Sequence, residues 1–333
     1  MNNSKVICFG EALVDRLGAL GGIPSIDRTF HDCLGGAPAN VACGLARLGI
    51  DVGFIGCVGN DSIGLQFKDL FLARGVNIKG LQVNQAVPTR IVLVQRDSDG
   101  ERTFGGFLGG PMNVFADQAL DLSKLKKVWL ELISDASWLV MGTIPLAFEG
   151  TREIAIWTID QAVKNGIKIA IDLNWRPTFW DPSAPPNSLP SKEVSSLIRS
   201  TLDSASLLKL SKEEALWFFN SEDPVEIAES LRERPNVIIT DGSNPIKWIL
   251  YGFVGMTSAL SPKIVVDTTG AGDSFMAGIM SQVLSFSKPN SLSEANSMIE
   301  FSAACGAFVC KAAGAIAPQP NYSEIEEFLL SAL

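Results

Sequence analysis

Residues 267–278, with the sequence D-T-T-G-A-G-D-S-F-M-A-G, limit the choice of fold more than any other segment of this chain. Small residues lead from a loop into a helix, because the apolar residues that follow recur with a period of about 3.6. Gly270, Ala271 and Gly272 would present unpaired N–H groups at the first helical turn, where the peptide dipoles place about half a positive charge. The segment therefore predicts an anion site at a helix N-terminus.

Asp273 follows these three residues directly, although a carboxylate would repel a bound phosphate. The conflict disappears if the carboxylate faces a hydroxyl that attacks the phosphorus atom, which indicates phosphoryl transfer to an alcohol. The alternative is that Asp273 is an ordinary N-terminal cap, a role that Asp often has. The segment is not the nucleotide-binding P-loop, because the Gly-Lys-Ser/Thr ending is missing.

A second glycine-rich segment, G-G-A-P-A-N at residues 35–40, opens another predicted helix. Gly35 and Gly36 allow the backbone to approach a ligand closely, and a proline suits the first helical turn. The Asn40 amide offers a donor and an acceptor, which suits a sugar hydroxyl. An ordinary turn followed by a helix start is the alternative.

The first predicted strand leads to a candidate sugar ligand. Residues 6–9 are typical of a buried strand, which runs into G-E-A-L-V-D at residues 10–15. In open α/β sheets, ligands bind beyond the carboxyl ends of the strands, so Asp15 is well placed to bind polyol oxygens. A solvated loop carboxylate is the alternative.

Residues 35–40 and 267–278 resemble the two signatures of the ribokinase/PfkB-type carbohydrate kinases, and the likeness extends along nearly the whole chain. The resemblance implies a ribokinase-like three-layer α/β/α sandwich, with a mostly parallel central sheet and a small β-sheet lid over the sugar. It also implies that Asp273 is the catalytic base. The implied anion hole is Gly270, Ala271 and Gly272, and the implied sugar site contains Asp15, Gly35, Gly36 and Asn40.

Two segments are similar to those of fructokinases within this family: residues 10–15, and residues 172–180 with the sequence D-L-N-W-R-P-T-F-W. This likeness implies phosphorylation of D-fructose to fructose 6-phosphate, with Asn174 in the ATP site and Arg176 in the sugar site. Arg176 as a surface ion-pair partner is the alternative. Other substrates stay open: ribose, a nucleoside, or 2-keto-3-deoxygluconate, whose carboxylate could pair with Arg176. A catalytically inactive binding module also stays open.

The nucleotide side departs further from the family pattern. Residues 237–242 resemble the family's strand and Thr-x-Gly loop, which implies Thr240 and Gly242 as ATP ligands, although Pro245 replaces a usual glycine. The family often has Asn-x-x-Glu where this chain has S-K-E-E. Ser211 therefore occupies the position of the asparagine whose amide binds ATP in the family. Glu214 matches the acid that orders water around magnesium and phosphate. The implied cofactors are ATP, Mg²⁺ and a monovalent cation such as K⁺, and the implied assembly is a homodimer.

Composition excludes several other classes. The 333 residues are 47% hydrophobic and 19% charged, and the net charge is −9, which disfavours a nucleic-acid partner. No apolar run is long enough to cross a membrane, and the N-terminal residues lack a secretory hydrophobic core, so we expect a cytoplasmic protein. Six cysteines without a Cys-x-x-Cys pair predict buried free thiols. A single histidine, His31, is expected in an exposed loop.

Strands and helices alternate along the chain, which predicts one α/β domain over residues 1–333. Two runs flank D-S-D-G at residues 97–100 and predict a hairpin within this alternation. With the residues before the first glycine pair, the hairpin forms the expected lid, at about 14–34 and 86–110. Arg90 and Arg102 could reach the substrate, but a charged, solvated strand face accounts better for both.

Overall fold

The computed structural model describes residues 5–20, 30–96, 102–109, 114–185, 187–286 and 288–332. The described strands are β1 (Val6–Phe9), β2 (Leu13–Leu20), β3 (Phe30–Gly35), β4 (Val52–Gly59), β5 (Asn77–Asn84), β6 (Ile91–Arg96), β7 (Arg102–Phe107), β8 (Trp138–Met141), β9 (Lys168–Asp172), β10 (Leu207–Ser211), β11 (Asn236–Asp241), β12 (Asn244–Leu250) and β13 (Phe253–Thr257). They form a nine-stranded and a four-stranded sheet.

The large sheet has the strand order β13-β12-β11-β10-β9-β8-β1-β4-β5. The strands from β11 to β5 pair in parallel, and β12 and β13 extend one edge as antiparallel strands. Parallel strands are buried on both faces and therefore read as continuous apolar runs. In β1, Val6 and Cys8 enter one core cluster, and Ile7 and Phe9 enter the other.

Helices cover both faces of the large sheet. The described residues form α1 (Ala37–Arg47), α2 (Ser62–Arg74), α3 (Leu122–Leu132), α4 (Glu149–Lys164), α5 (Pro177–Trp180), α6 (Lys192–Leu202), α7 (Lys212–Phe219), α8 (Pro224–Glu229), α9 (Ala271–Ser285), α10 (Leu292–Val309) and α11 (Tyr322–Ala332). Helices α1, α2, α9, α10 and α11 contribute to one core cluster, and α3, α4, α6, α7 and α8 to the other. The expected three-layer α/β/α sandwich is confirmed.

Small residues bring α9 close to its neighbours. A Cβ on Gly278 of α9 would lie 2.8 Å from the Cα of Ser302 in α10. A Cβ on Gly44 of α1 would lie 2.8 Å from the Cβ of Ala277. Because close-packed interiors do not tolerate such overlaps, Gly278 lets α10 approach α9, and Gly44 allows close packing between α1 and α9. The two glycine-rich segments of the sequence open these two helices.

The small sheet has the order β3-β2-β6-β7, with β2 and β6 parallel. The antiparallel pairing of β6 with β7 confirms the expected hairpin, and its turn at residues 97–100 lies outside the described residues. The sheet matches the segments expected to form the lid to within one residue. Residues 21–29 and 110–113 of those segments are also outside the described parts. His31 is exposed as expected but lies in β3 rather than in a loop, and five of the six free cysteines are buried.

The interpretation of Arg90 as part of a solvated strand face is wrong. Arg90 is 2% exposed and forms a bidentate ion pair with Asp117, at 2.7 and 3.0 Å. The rings of Phe107, Phe115, Phe148 and Phe179 surround its guanidinium at 4.4 to 5.3 Å. A buried charge needs such pairing. The residues that pair with Arg90 lie in other segments of the chain, so the sequence around Arg90 does not reveal its burial. The side chain of Arg102 lies outside the described part of the chain.

Candidate active site

A cleft of about 550 Å³ lies beyond the carboxyl ends of β1, β8, β9, β10 and β11. Ligands of open α/β sheets bind at this edge. Leu13, Val92, Val94 and Phe104 of the small sheet line the cleft from the other side. Of the residues proposed from the sequence, those that line it are Asp15, Gly36, Asn40, Asn174, Arg176, Ser211, Glu214, Thr240, Gly270, Gly272 and Asp273.

The anion loop precedes α9. Gly270 is the N-terminal cap of α9 with φ of 77°, and a Cβ there would lie 2.5 Å from the Cβ of Ala315, so glycine is required. Gly270 and Gly272 line the cleft. Ala271 is not among the lining residues, and its N–H donates to the carbonyl of Thr268 at 3.2 Å. Ala271 therefore shapes the loop, which leaves Gly270 and Gly272 at the anion site.

Asp273 faces the cleft from the first turn of α9, and it is not the helix cap, because Gly270 holds that position. Asn40 Nδ2 donates to Asp273 Oδ2 at 2.7 Å, which joins the two glycine-rich segments. Burial, together with the negative charge of Asp172, raises the pKa of Asp273 to about 6. The Asn40 hydrogen bond, Lys209 and Arg176 limit this rise. The carboxylate is ionised at neutral pH yet is a stronger base than an ordinary aspartate.

Lys209 is a cleft residue that the sequence analysis missed. It lies in β10, is 5% exposed, and its Nζ donates to Asp172 Oδ2 at 2.8 Å. A Cβ on Gly272 would lie 3.3 Å from Nζ, so the ammonium group adjoins the anion loop. Burial acts to lower the pKa of Lys209, but Asp172, Glu214 and Asp273 raise it overall, so the side chain is cationic. The available signal was a lysine within the apolar strand L-L-K-L at residues 207–210.

Ser211 and Glu214 form a capping box at the start of α7. The Ser211 hydroxyl accepts from the Glu214 N–H at 3.2 Å, and Glu214 accepts from the Ser211 N–H at 2.7 Å. The other carboxylate oxygen of Glu214 accepts from the Trp175 N–H at 2.6 Å. Burial raises the pKa of Glu214, and Asp172 adds to this rise. Glu214 thus orders the loop after β9.

That loop carries Asn174 and Arg176. Asn174 has φ of 44°, a left-handed conformation that asparagine tolerates. Arg176 is exposed, lines the cleft, and donates from Nη1 to the carbonyl of Trp175 at 2.9 Å. It forms no ion pair with a carboxylate of the described residues, which weakens the surface ion-pair alternative.

Asp15 lies in β2 of the small sheet, not at the end of a strand of the large sheet. A Cβ on Gly35 would lie 3.3 Å from Asp15 Oδ2 and 3.9 Å from Asn40 Oδ1. Gly35 is not among the residues that line the cleft, but its small size leaves room for these two polar groups. Gly36 has φ of 99°, and a Cβ there would lie 2.6 Å from the carbonyl oxygen of Glu11.

Thr240 and Gly242 lie at different depths of the nucleotide side. Thr240 is the penultimate residue of β11 and lines the cleft, whereas Gly242 is not among the lining residues. Asp241 pairs with Asn244, so Gly242 occupies the two-residue turn between β11 and β12, with φ of 55°. Pro245 lies in β12 beyond this turn, which answers how the chain continues without the usual glycine.

Within the described ranges, no group of three or more His, Cys, Asp or Glu side chains is arranged to hold a metal ion. Among the same residues, no helix has the length and apolarity needed to span a membrane.

The sequence matches the family described as pfkB family carbohydrate kinase over residues 3–321. It is 32% identical to the probable fructokinase-6, chloroplastic, of Arabidopsis thaliana, over 98% of this chain and 83% of that protein. It is 30% identical to the fructokinase of Klebsiella pneumoniae, over 98% of this chain and 100% of that protein. The solved structure of fructokinase with bound ATP from Xylella fastidiosa superposes with a TM-score of 0.82 at 27% identity, covering 98% of this chain and 99% of that one.

Proposed function

The chain belongs to the pfkB family of carbohydrate kinases, and we propose that it transfers the γ-phosphoryl group of ATP to D-fructose, forming fructose 6-phosphate. The observation that carries this proposal is the 2.7 Å hydrogen bond between Asn40 and Asp273 beside the N-terminus of α9. It brings a sugar-binding amide, a candidate base and a phosphate-binding helix terminus to one point. The names of the fructokinase relatives support fructose as the sugar.

In the proposed reaction, the sugar hydroxyl lies between Asp273 and the γ-phosphorus of ATP. Asp273 accepts a hydrogen bond from the hydroxyl, then its proton as the O–P bond forms. Because the transition state of phosphoryl transfer is loose, the proton leaves late and alignment matters more than basicity. The N–H groups at Gly270 and Gly272 and the ammonium of Lys209 stabilise the charge of the transferring group, and Ala271 maintains the loop that presents them.

ATP would bind along the side of the cleft formed by Asn174, Ser211 and Thr240, near the turn that contains Gly242, with its phosphates toward Gly272. Asp172 and Glu214 supply carboxylate oxygens, the donors that Mg²⁺ prefers, so the donor set fits this ion. Bound Mg²⁺ would neutralise phosphate charge. Both oxygens of Glu214 accept backbone N–H groups, so this residue would act through water.

The charges of the cleft favour a neutral sugar over a sugar acid. Five carboxyl groups line it, those of Glu11, Asp15, Asp172, Glu214 and Asp273, against two cations, Arg176 and Lys209. Asp172 already pairs with Lys209, so a sugar carboxylate would face mostly negative neighbours. We propose that Asp15 and Arg176 contact hydroxyls of the sugar, and that Gly35 and Gly36 make room for it. The small sheet would act as a lid that excludes water.

The test of this function is a substrate panel. ADP release should be measured with fructose, ribose, adenosine and 2-keto-3-deoxygluconate, each against a blank without acceptor, in K⁺ and in tetramethylammonium buffers. We expect the highest kcat/KM for fructose. Highest kcat/KM for another acceptor would replace fructose, and release equal to the blank for all four would favour the inactive binding module. The expected homodimer stays a prediction, which light scattering tests.

We expect log(kcat/KM) for the sugar to rise with pH up to about 6 and to level off above, because Asp273 must be ionised to accept a proton. The Asn40 hydrogen bond lowers the pKa of Asp273, so Asn40→Ala should move this limb to higher pH. A pH series of kcat/KM on both proteins measures this. If the rise occurs at the same pH in both proteins, the group that titrates is not Asp273.

Asp15→Ala should raise the KM for the sugar about tenfold to a hundredfold, because a hydroxyl loses a charged hydrogen-bond partner. We expect the KM for ATP to change little. Asp32→Ala is the matched control: Asp32 also belongs to the small sheet, but it pairs with Arg16 and does not line the cleft. Equal sugar KM values in the two variants would remove Asp15 from the sugar site.

A further inference from the structure

We propose that Glu11 is a further sugar-binding residue, whose buried Oε2 forms a hydrogen bond with a second hydroxyl of the sugar that Asn40 and Asp273 bind. The inference rests on the proposed function, since it concerns the same sugar site. Glu11 follows β1 and lines the cleft, and it is 3% exposed. Its Oε2 is buried and has no hydrogen-bond partner among the described residues.

The position of the Glu11 carboxyl group is fixed on its other side. Oε1 accepts from the N–H of Ala37 at 3.1 Å, the first residue of α1. The cap of that helix, Gly36, has no side chain to do so, and its missing Cβ leaves room for the Glu11 carbonyl. Glu11 therefore caps α1 from outside the helix, and Oε2 is held at a fixed point.

The partner of Oε2 must come from the cleft. Glu11 adjoins two spaces: the cleft of about 550 Å³, and a cavity of about 10 Å³ lined largely by apolar groups such as Phe9, Leu120 and Phe148. The small cavity is at the lower limit for a single water molecule. Its other polar side chains, Asp117 and Thr151, already bind Arg90 and the carbonyl of Pro145. A buried polar atom left unpaired is costly, so a ligand group in the cleft is the fitting partner.

A second buried polar atom without a partner among the described residues lies in the first turn of α1, the turn that Glu11 caps. Asn40 Nδ2 is bound to Asp273, while Asn40 Oδ1 is buried without a partner among the described residues. Burial, together with the negative charges of Asp117 and Asp273, raises the pKa of Glu11 to about 8, which supports a protonated Glu11 that donates from Oε2 at neutral pH. A polyol satisfies both atoms, because each hydroxyl donates one hydrogen bond and accepts others.

Steady-state kinetics of Glu11→Met and Glu11→Gln test the proposal on the acceptor that the wild-type enzyme phosphorylates best. Glu11→Met should raise the sugar KM about tenfold or more and leave the KM for ATP nearly unchanged, because one hydrogen bond to the sugar is lost. Glu11→Gln keeps an acceptor for Ala37 and an N–H donor at the second position, so we expect a sugar KM within about threefold of wild type.

Monodeoxy derivatives of the sugar distinguish a direct contact between Glu11 and one hydroxyl from a general effect of the substitution on folding. If Oε2 binds one hydroxyl, the penalty of Glu11→Met should vanish for the derivative that lacks this hydroxyl and persist for the others. A penalty of the same size on every derivative would overturn the contact. Should Glu11→Met not fold, infrared difference spectra of sugar binding decide: a carboxyl band that shifts in wild type and is absent in Glu11→Gln supports the proposal, and identical spectra refute it. An inactive wild type would instead refute the proposed function.

Discussion

Replacing Asp273 with Asn should lower kcat for sugar phosphorylation by a factor of about 10²–10⁴, the usual contribution of a positioned base. The amide oxygen of the substituted side chain could still accept the hydrogen bond from Asn40, so the geometry of the two helix termini is retained. ATP and sugar should bind with nearly unchanged affinity. Steady-state kinetics and calorimetric binding on the same preparation measure both quantities.

The same variant should be at least as stable as wild type at pH 8. Because the folded-state pKa of Asp273 is raised to about 6, its protonated form is favoured by folding, and this stabilisation is lost as pH rises through about 6. Removing the charge should therefore raise the melting temperature at pH 8. Asp69→Asn, at an exposed position on α2, serves as the control for both measurements. Activity within tenfold of wild type would refute Asp273 as the base.

Lys209→Met should have the second large effect, on stability and activity together. It leaves Asp172 buried without its cation, and breaking a buried ion pair typically costs about 3–5 kcal/mol in unfolding free energy. It also removes the ammonium group beside Gly272, which we expect to cost about 10²–10³ in kcat. Denaturant unfolding and kcat of the folded fraction measure the two losses.

The double variant Lys209→Met with Asp172→Leu separates these losses. Replacing both charges by apolar side chains of similar volume removes the uncompensated charge, so stability should largely return. Activity should not return, because the cation at the phosphate site is still missing and the Asp172 carboxylate proposed to hold Mg²⁺ is missing as well. Recovery of activity together with stability would show that Lys209 serves only to neutralise Asp172.

The parts of this site that are built from contiguous residues could be predicted from the sequence. Residues 35–40 and 267–278 each carry a loop, a helix start and a polar group, so local rules indicate an anion site and a sugar site. The bond between Asn40 and Asp273 joins residues 233 positions apart, and only the resemblance to a known family suggests that these segments meet. The described strands and helices follow the expected alternation for the same local reasons.

Charges whose partners are distant could not be interpreted from sequence. Arg90 immediately precedes β6, and its partner Asp117 lies 27 residues further along the chain. Its burial depends on aromatic rings from several elements. Lys209 interrupts an apolar strand, which marks it as unusual without naming Asp172. Glu11 belongs to a recognised segment, but its orphan oxygen depends on how α1 packs against β1.

The central claim is that Asp273 aligns a sugar hydroxyl with the γ-phosphorus of ATP. Single-turnover transfer from [γ-³²P]ATP to fructose, with enzyme in excess, tests it most directly. Wild type should release one ADP for each labelled fructose 6-phosphate formed, and Asp273→Asn, with both ligands bound, should transfer almost no label in the same time. Label found only in inorganic phosphate, or transfer by Asp273→Asn at a rate close to wild type, would contradict the claim.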